Sequence, residues 1–283
     1  MSDVHLGLIG DNIQASRSPL LHRLAGRQVG LGVRYDRLIP RDLGLDFDGV
    51  FDRCQAAGYR GVNVTYPYKE RATARVRIIA PQVRLIGAIN TVVFSDQGPL
   101  GYNTDFSGFQ AAWRGTMGAA PPGIACMIGA GGVGRAVAFG LLALGADEIR
   151  LLDHEPGKAE ALAKALRIGA PDACIRVCRV DAEAAHGVDG VINCTPVGMG
   201  GLPGTPLDRA LIRGATWAFD AVYTPVNTQF LQDAAAEGAT ILSGYELFFH
   251  QGVDAWDIFV GRPISHDRLR QDLLSATDAE AAI

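Results

Sequence analysis

Six residues, Gly129-Ala130-Gly131-Gly132-Val133-Gly134, restrict what this chain can fold into more than any other stretch. An apolar run, Ile124-Ala125-Cys126-Met127-Ile128, leads into them, and helix-forming residues follow from Arg135 to Leu144. A second apolar run, Ile149-Arg150-Leu151-Leu152, then ends in an acid, Asp153. Glycine spacing alone is a weak signal in a chain with 35 glycines among 283 residues, so context has to carry it. Strand, glycine turn, helix and acid-terminated strand, in that order, make a unit whose turn backbone can approach a pyrophosphate seated on a helix N-terminus. Asp153 would accept hydrogen bonds from both ribose hydroxyls of a dinucleotide, and its charge would repel a 2′-phosphate.

The rest of the chain repeats the alternation of strand and helix. Leu6 to Gly10 reads as a buried strand, and Ser18 can cap a helix that has Pro19 at its first position. Val33 to Leu38 predicts a strand, Phe47 to Ala57 a helix, and Gly61 to Thr65 a strand that must stop before Pro67. Glu70 to Ile79 has helical spacing, and Leu85 to Phe94 and Leu100 to Tyr102 lead on to Asp105. Later strands are expected at 188–193, 216–223 and 240–244, with Thr228 capping a helix between the last two. The tail from Tyr245 to Ala276 reads as helix split by Pro263. The pattern predicts an α/β protein: a mostly parallel N-terminal α/β domain, then a Rossmann-type doubly wound domain. Crowded glycines and prolines at 115–123 place the junction nearby. The expected boundaries are 1–107 with 246–283 for the first domain, the C-terminal helices returning to it, and 108–245 for the second.

Composition excludes several classes. A formal charge of −4 offers no nucleic-acid surface and no anchor for an anionic membrane. The longest apolar run, Ala136 to Leu144, is far too short to span a bilayer. Met1 is followed at once by Ser2 and Asp3, without the basic and apolar regions of an export signal, so a cytoplasmic location is expected. Five cysteines form no disulfide framework and read as reduced thiols. Neither they nor the scattered histidines, His22, His154 and His250 among them, have partners at metal-ligand spacing, so no metal is expected.

Polar residues recur at successive element ends in the first domain. Thr65 and Lys69 follow one strand, Asn90 and Thr91 interrupt an apolar element, and Asn103, Thr104 and Asp105 follow another. Thr, Lys, Asn and Asp together suit the binding and deprotonation of a polyhydroxy substrate. Ser16 has no capping role to explain it. Gln251 shares a helical face with Leu247 and Ala255, a polar residue on an apolar stripe.

Taken together, these motifs resemble the shikimate dehydrogenase family nearly from end to end. Ser16-Arg17-Ser18-Pro19 looks like its S-x-S-P loop, Asn63 to Lys69 like N-V-T-x-P-x-K, and Gly87 to Thr91 like G-A-x-N-T. Gly101 to Gly108 is similar to G-x-N-T-D-x-x-G, and Asn193 to Met199 and Tyr223 to Thr228 resemble two loops near nicotinamide and substrate. The resemblance implies oxidation of a ring hydroxyl of shikimate or quinate, or the reverse reduction of 3-dehydroshikimate. It makes Lys69 the acid/base group and Asp105 its partner, with Ser16, Ser18, Thr65, Asn90, Tyr223 and Gln251 holding the substrate. Burial would have to lower the lysine's pKa for that role. Cofactor contacts are implied for Gly129, Ala130, Gly131, Gly132, Val133, Gly134, Asp153, Thr195, Pro196, Val197, Met199, Val222 and Gly244. Where members using NADP carry a basic signature, this chain has Asp153-His154-Glu155-Pro156, so NAD is expected, with NADP possible. Ala15 replaces the usual histidine before the first serine, the mark of a divergent branch, while Ser18 leans toward shikimate over quinate. The expected partner is a small hydroxy acid, and the chain is expected to be a monomer or homodimer. The competing readings are a dehydrogenase of another cyclic hydroxy acid, such as an aminoshikimate, and a non-catalytic sensor of cofactor and ligand.

Overall fold

The structure, a computed structural model, describes residues 4–276. Along the chain run β1 (Val4–Ile9), α1 (Ser18–Gln28), β2 (Val33–Leu38), α2 (Phe47–Ala56), β3 (Gly61–Val64), α3 (Pro81–Ile86), β4 (Thr91–Ser95) and β5 (Gly98–Tyr102). Then come α4 (Thr104–Met117), β6 (Ile124–Ile128), α5 (Gly132–Ala143), β7 (Glu148–Leu152), α6 (Pro156–Gly169), β8 (Cys174–Val177) and α7 (Asp181–Ala185). The remainder is β9 (Gly190–Asn193), α8 (Arg209–Ile212), β10 (Trp217–Asp220), α9 (Gln229–Ala236), β11 (Thr240–Leu242), α10 (Gly244–Val260) and α11 (His266–Ser275). These elements divide into two compact units, residues 4–104 with 251–276, and residues 105–250.

The first unit is built on a five-stranded sheet of order β2-β1-β3-β4-β5. β1 pairs in parallel with β2 and β3, whereas β4 and β5 are antiparallel additions. That arrangement brings the ends of β1, β3 and β5 and the start of β4 to one edge. On one face, Phe47, Val50, Phe51 and Cys54 of α2 pack on Ile9, Val62 and Val64. Their i, i+3, i+4, i+7 spacing is what makes α2 amphipathic, and Asp46 caps it by accepting the Gly49 amide at 2.9 Å. On the other face, Leu6, Leu8, Tyr35 and Val93 meet Ala255 and Phe259 of α10.

The second unit holds a six-stranded parallel sheet of order β11-β10-β9-β6-β7-β8. Strand order reverses between β6 and β9, so a crevice opens beyond their C-terminal ends, the place where such sheets bind ligands. Ile128, Asn193 and Asp220 lie side by side at that edge.

Three local expectations are corrected. Residues 70–79 form only a 3-10 turn at Arg71–Arg75, followed by an extended step and then α3. The helical spacing there belongs to charges that answer α2: Arg71 pairs with Asp46 and Asp48, and Arg75 pairs with Asp48 and Asp52. The apolar stretch from Leu85 to Phe94 is divided between the end of α3, a turn at Gly87, and β4. Ser18 is the first residue of α1 and not its cap. The residue before it is Arg17, which makes no side-chain capping bond. Ser16 instead accepts the Ser18 amide at 3.3 Å, so the local structural role belongs to the other serine.

Candidate active site

In the first unit, polar side chains gather where β1, β3 and β5 end and β4 begins. The loop after β1 carries the paired serines. Ser16 is buried, its hydroxyl donates to the Ser18 hydroxyl at 3.2 Å, and Arg37 of β2 donates to its carbonyl at 3.0 Å. Gly10 lets this loop meet the next one, because a Cβ there would stand 2.3 Å from the Thr65 methyl. A clasp joins the two loops: the Thr65 amide donates to Ile9, the Asp11 amide to Tyr66, and the Tyr68 hydroxyl to Asp11 at 2.6 Å. Thr65 and Lys69 are both half-buried. The Lys69 carbonyl accepts the Ile89 amide at 2.9 Å, so backbone bonding fixes the residue independently of its amine.

Asn90 is the hub of this unit. Its Oδ1 accepts the Thr104 amide at 2.8 Å and the Thr91 hydroxyl at 3.1 Å. Its Nδ2 donates to Thr104 Oγ1 at 2.9 Å and to Gln251 Oε1 at 3.3 Å. Gln251 on α10 is thereby held to the β4 loop with its carbonyl oxygen turned to Asn90. Asn63 supports the hub from beneath, donating to the Asn90 carbonyl and to Thr91 while accepting the Tyr35 hydroxyl at 2.8 Å. His22 stacks on Tyr35, and burial pushes its pKa down to about 3, so it is a neutral packing residue.

In the second unit, Asp105 follows Thr104 in the first turn of α4 and is buried. The glycine turn is cut to fit. Gly129 has φ +99°, and its Cβ would stand 2.7 Å from the Cys194 backbone. A Cβ on Gly134 would stand 2.1 Å from the Gly129 carbonyl. Around Gly131, by contrast, a Cβ would meet nothing within 4 Å. Gly131 is the residue before α5, which has no side-chain cap, so the first amides of that helix, at Gly132, Val133 and Gly134, lack a side-chain acceptor. An open cradle over uncapped amides fits a pyrophosphate. Asp153 stands beside it with a side chain only 5% exposed. One carboxylate oxygen accepts the Ala130 amide and the other the Glu155 amide, at 2.7 and 2.8 Å. Asp153 therefore also braces the turn, a role its sequence position did not disclose.

Beyond β9, the Asn193 side chain accepts the amide and hydroxyl of Thr195 and donates to the Val197 carbonyl. The Pro196 carbonyl accepts the Met199 amide at 3.1 Å. Beyond β10, Val222 is buried and the Tyr223 ring stacks on Phe248 at 4.8 Å. Gly244 has no room for a side chain, since a Cβ would meet the carbonyls of Asp220, Ala221 and Val222 at 2.5–2.8 Å.

A family model described as the shikimate dehydrogenase substrate binding domain matches residues 8–92, and one described as NADP oxidoreductase, coenzyme F420-dependent, matches residues 124–199. A shikimate dehydrogenase (NADP(+)) of Pseudarthrobacter chlorophenolicus is 36% identical, over 97% of this chain and 96% of its own. The chain belongs to the shikimate dehydrogenase family. A quinate/shikimate dehydrogenase (NAD(+)) of Corynebacterium efficiens is also 36% identical, over 95% of this chain and 97% of its own. Among solved structures, the quinate dehydrogenase of Corynebacterium glutamicum in complex with NAD superposes with a TM-score of 0.86 at 33% identity, over 97% of this chain and 99% of that one. As a member of the shikimate dehydrogenase family, the chain is an oxidoreductase that works with NAD or NADP. None of its helices among the described residues is long and apolar enough to cross a membrane.

One charged residue of the family fold was not legible as part of a site. Asp220 is fully buried, and burial pushes its carboxyl up to about 6 despite three hydrogen bonds. Its folded value lies above the unfolded one, so its favourable contribution is complete below about pH 4 and is lost as pH rises through about 6. The difference corresponds to about 3 kcal/mol at most. Asp220→Asn, which cannot ionise, is therefore expected to gain in Tm relative to the native chain by several degrees between pH 4.5 and 7.5. Melting curves of both proteins across that range check it, and a pH-independent difference would refute the buried charge.

Proposed function

We propose that this protein interconverts shikimate and 3-dehydroshikimate with NAD as the favoured cofactor. The reading is carried by the gathering of Ser16, Ser18, Thr65, Lys69, Asn90 and Gln251 at one sheet edge, in a chain of the shikimate dehydrogenase family. When bound, the nicotinamide ring accepts or supplies the hydride. Lys69 takes the hydroxyl proton as the alcohol is oxidised and returns it in reduction, with Asp105 as its charged partner. The two serine hydroxyls lie 3.2 Å apart, and if Ser16 turns its one proton from Ser18 to the ligand they present adjacent donors to a carboxylate. Thr65, Asn90, Gln251 and Tyr223 take the ring hydroxyls. Thr195, Pro196, Val197, Met199, Val222 and Gly244 shape the cofactor's nicotinamide side, and residues 129–134 hold its pyrophosphate.

The choice of NAD follows from charge. Asp153 and Glu155 put two carboxylates at the end of β7, and the nearest lysine, Lys158, is paired with Glu155 at 2.6 Å. That field opposes a 2′-phosphate. Because Asp153 also braces Ala130, Asp153→Ala should lower kcat/KM with both cofactors. The ratio of NAD to NADP should nevertheless fall roughly tenfold or more, the worth of a charged hydrogen bond. Equal losses would leave Asp153 as a brace alone.

The deciding experiment follows reduced cofactor with shikimate, quinate and an aminoshikimate, each with NAD and NADP, ranked by kcat/KM. Shikimate with NAD should rank first. Thermal stabilisation by these acids without turnover would mean a sensor. All five cysteines are free, which supports a reducing, cytoplasmic setting.

A further inference from the structure

We propose that Asp220 is a positioning residue for hydride transfer: its buried carboxylate fastens the turn after Asn193 to the turn that carries Tyr223. The proposal rests on the assignment of those two turns to nicotinamide and substrate made above.

Asn193 and Asp220 are register partners at the ends of β9 and β10. Asp220 Oδ1 accepts Asn193 Nδ2 at 3.0 Å and the Val222 amide at 2.9 Å. Its Oδ2 accepts the Thr228 hydroxyl at 2.6 Å. Each of the three donors belongs to a segment with its own task. Asn193 folds the first turn from inside, since its remaining polar atoms hold Thr195 and Val197. Val222 is the residue before Tyr223. Thr228 caps α9, accepting the Leu231 amide at 3.3 Å, and so closes the far end of the Tyr223 turn. A second tie runs between the turns, from the Gly200 amide to the Thr224 carbonyl at 3.3 Å. Gly244 presses on the carbonyls of residues 220–222 from the start of α10, leaving the segment no slack.

A carboxylate is not the cheapest filler for this place. It has no solvent exposure, its three bonds come from a side-chain amide, a backbone amide and a hydroxyl, none of them basic, and its carboxyl is raised by burial. Apolar replacement of buried charges is often neutral or stabilising where all partners go together. Here the partners stand at the end of β9 and at both ends of the Tyr223 turn, and only a side chain with two polar atoms at its tip reaches all of them at once. The carboxylate therefore sets the distance between two turns, which a cap for α9 alone would not require.

Two replacements separate positioning from mere support. Asp220→Asn keeps an oxygen for Asn193 and Val222 and can reverse its bond to Thr228, which is able to accept. Asp220→Leu has the same shape without any acceptor. We expect the leucine variant to lose about a hundredfold in kcat, the scale of a misplaced reacting group. The asparagine variant should recover most of that loss. Binding of ADP, which needs only the glycine turn and Asp153, should stay at its native affinity in both when followed by calorimetry. A folded leucine variant with native kcat would overturn the proposal. So would loss of ADP affinity in proportion to kcat, because that is general collapse of the unit. The native chain is assayed alongside: absence of turnover there removes the activity assigned above and this proposal with it, whereas native turnover with an unaffected leucine variant removes the proposal only.

Discussion

Lys69→Ala is expected to lower kcat about a thousandfold, within the range that a positioned proton-transfer group supplies. Shikimate affinity should change far less. The expectation follows from where the residue is fastened. Its carbonyl bond to Ile89 and the neighbouring clasp of Thr65, Tyr66 and Tyr68 involve no atom of the amine, so truncation leaves the loop in place. The serine, asparagine and glutamine side chains proposed to hold the acid are on other elements, where Ser16 bonds Ser18 and Asn90 bonds Gln251. Lys69→Arg provides the sharper arm. Arginine preserves the positive charge but does not give up its proton near neutral pH. If Lys69 acts by moving a proton, the arginine variant should be nearly as slow as the alanine variant. If it acts only by attracting a developing alkoxide, arginine should restore much of the rate. Stopped-flow or steady-state absorbance of the reduced cofactor distinguishes the two, and an undiminished rate in Lys69→Ala would end the assignment.

What could be read in the sequence depended on whether the signal was local. β2 and β6 are found at the residues expected of them, because each is a short apolar or alternating run closed by turn residues. α2 ends within a residue of its expected end, its apolar stripe and acid cap being adjacent in the chain. The segment after Lys69 misled for the opposite reason. Arg71 and Arg75 are four apart, like residues on one helical face, yet their spacing matches the acids Asp48 and Asp52 on α2. Their guanidinium groups also lie over Phe47 and Phe51. Periodicity there reports a partner across space. The serines reversed roles because α1 begins at Ser18 itself, so the hydroxyl two residues earlier, on Ser16, is the one placed to accept the helix's first amide. Asp220 was silent for a related reason: an acid at a strand end becomes informative only when the register sets it beside Asn193, 27 residues away. Of the residues proposed for the substrate, Ser16, Ser18, Thr65, Lys69 and Asn90 could be singled out because they stand at element ends, whereas Gln251 lies within α10 and showed only as a polar residue on an apolar stripe.

The glycine turn gives the second large effect, and two of its glycines should fail in different ways. Gly131 has φ −76°, allowed for any residue, and open space where its Cβ would go. Gly131→Ala should therefore fold with native stability. If the space above the first turn of α5 is where a pyrophosphate sits, the added methyl stands in it. Cofactor affinity should then drop about thirtyfold, roughly 2 kcal/mol, the worth of one charged hydrogen bond lost to poor approach. Gly134 faces inward, and its Cβ would stand 2.1 Å from the Gly129 carbonyl, which cannot yield without moving the turn off the Cys194 backbone. Gly134→Ala should thus lose affinity and also about 1–3 kcal/mol of stability, as overpacked sites do. Measuring cofactor affinity and urea unfolding on the same two variants separates the explanations. Normal affinity in a stable Gly131→Ala would place the pyrophosphate elsewhere. A Gly134→Ala protein of native stability would show that the turn can yield, and that the close approach of Gly134 to Gly129 is not what holds its shape.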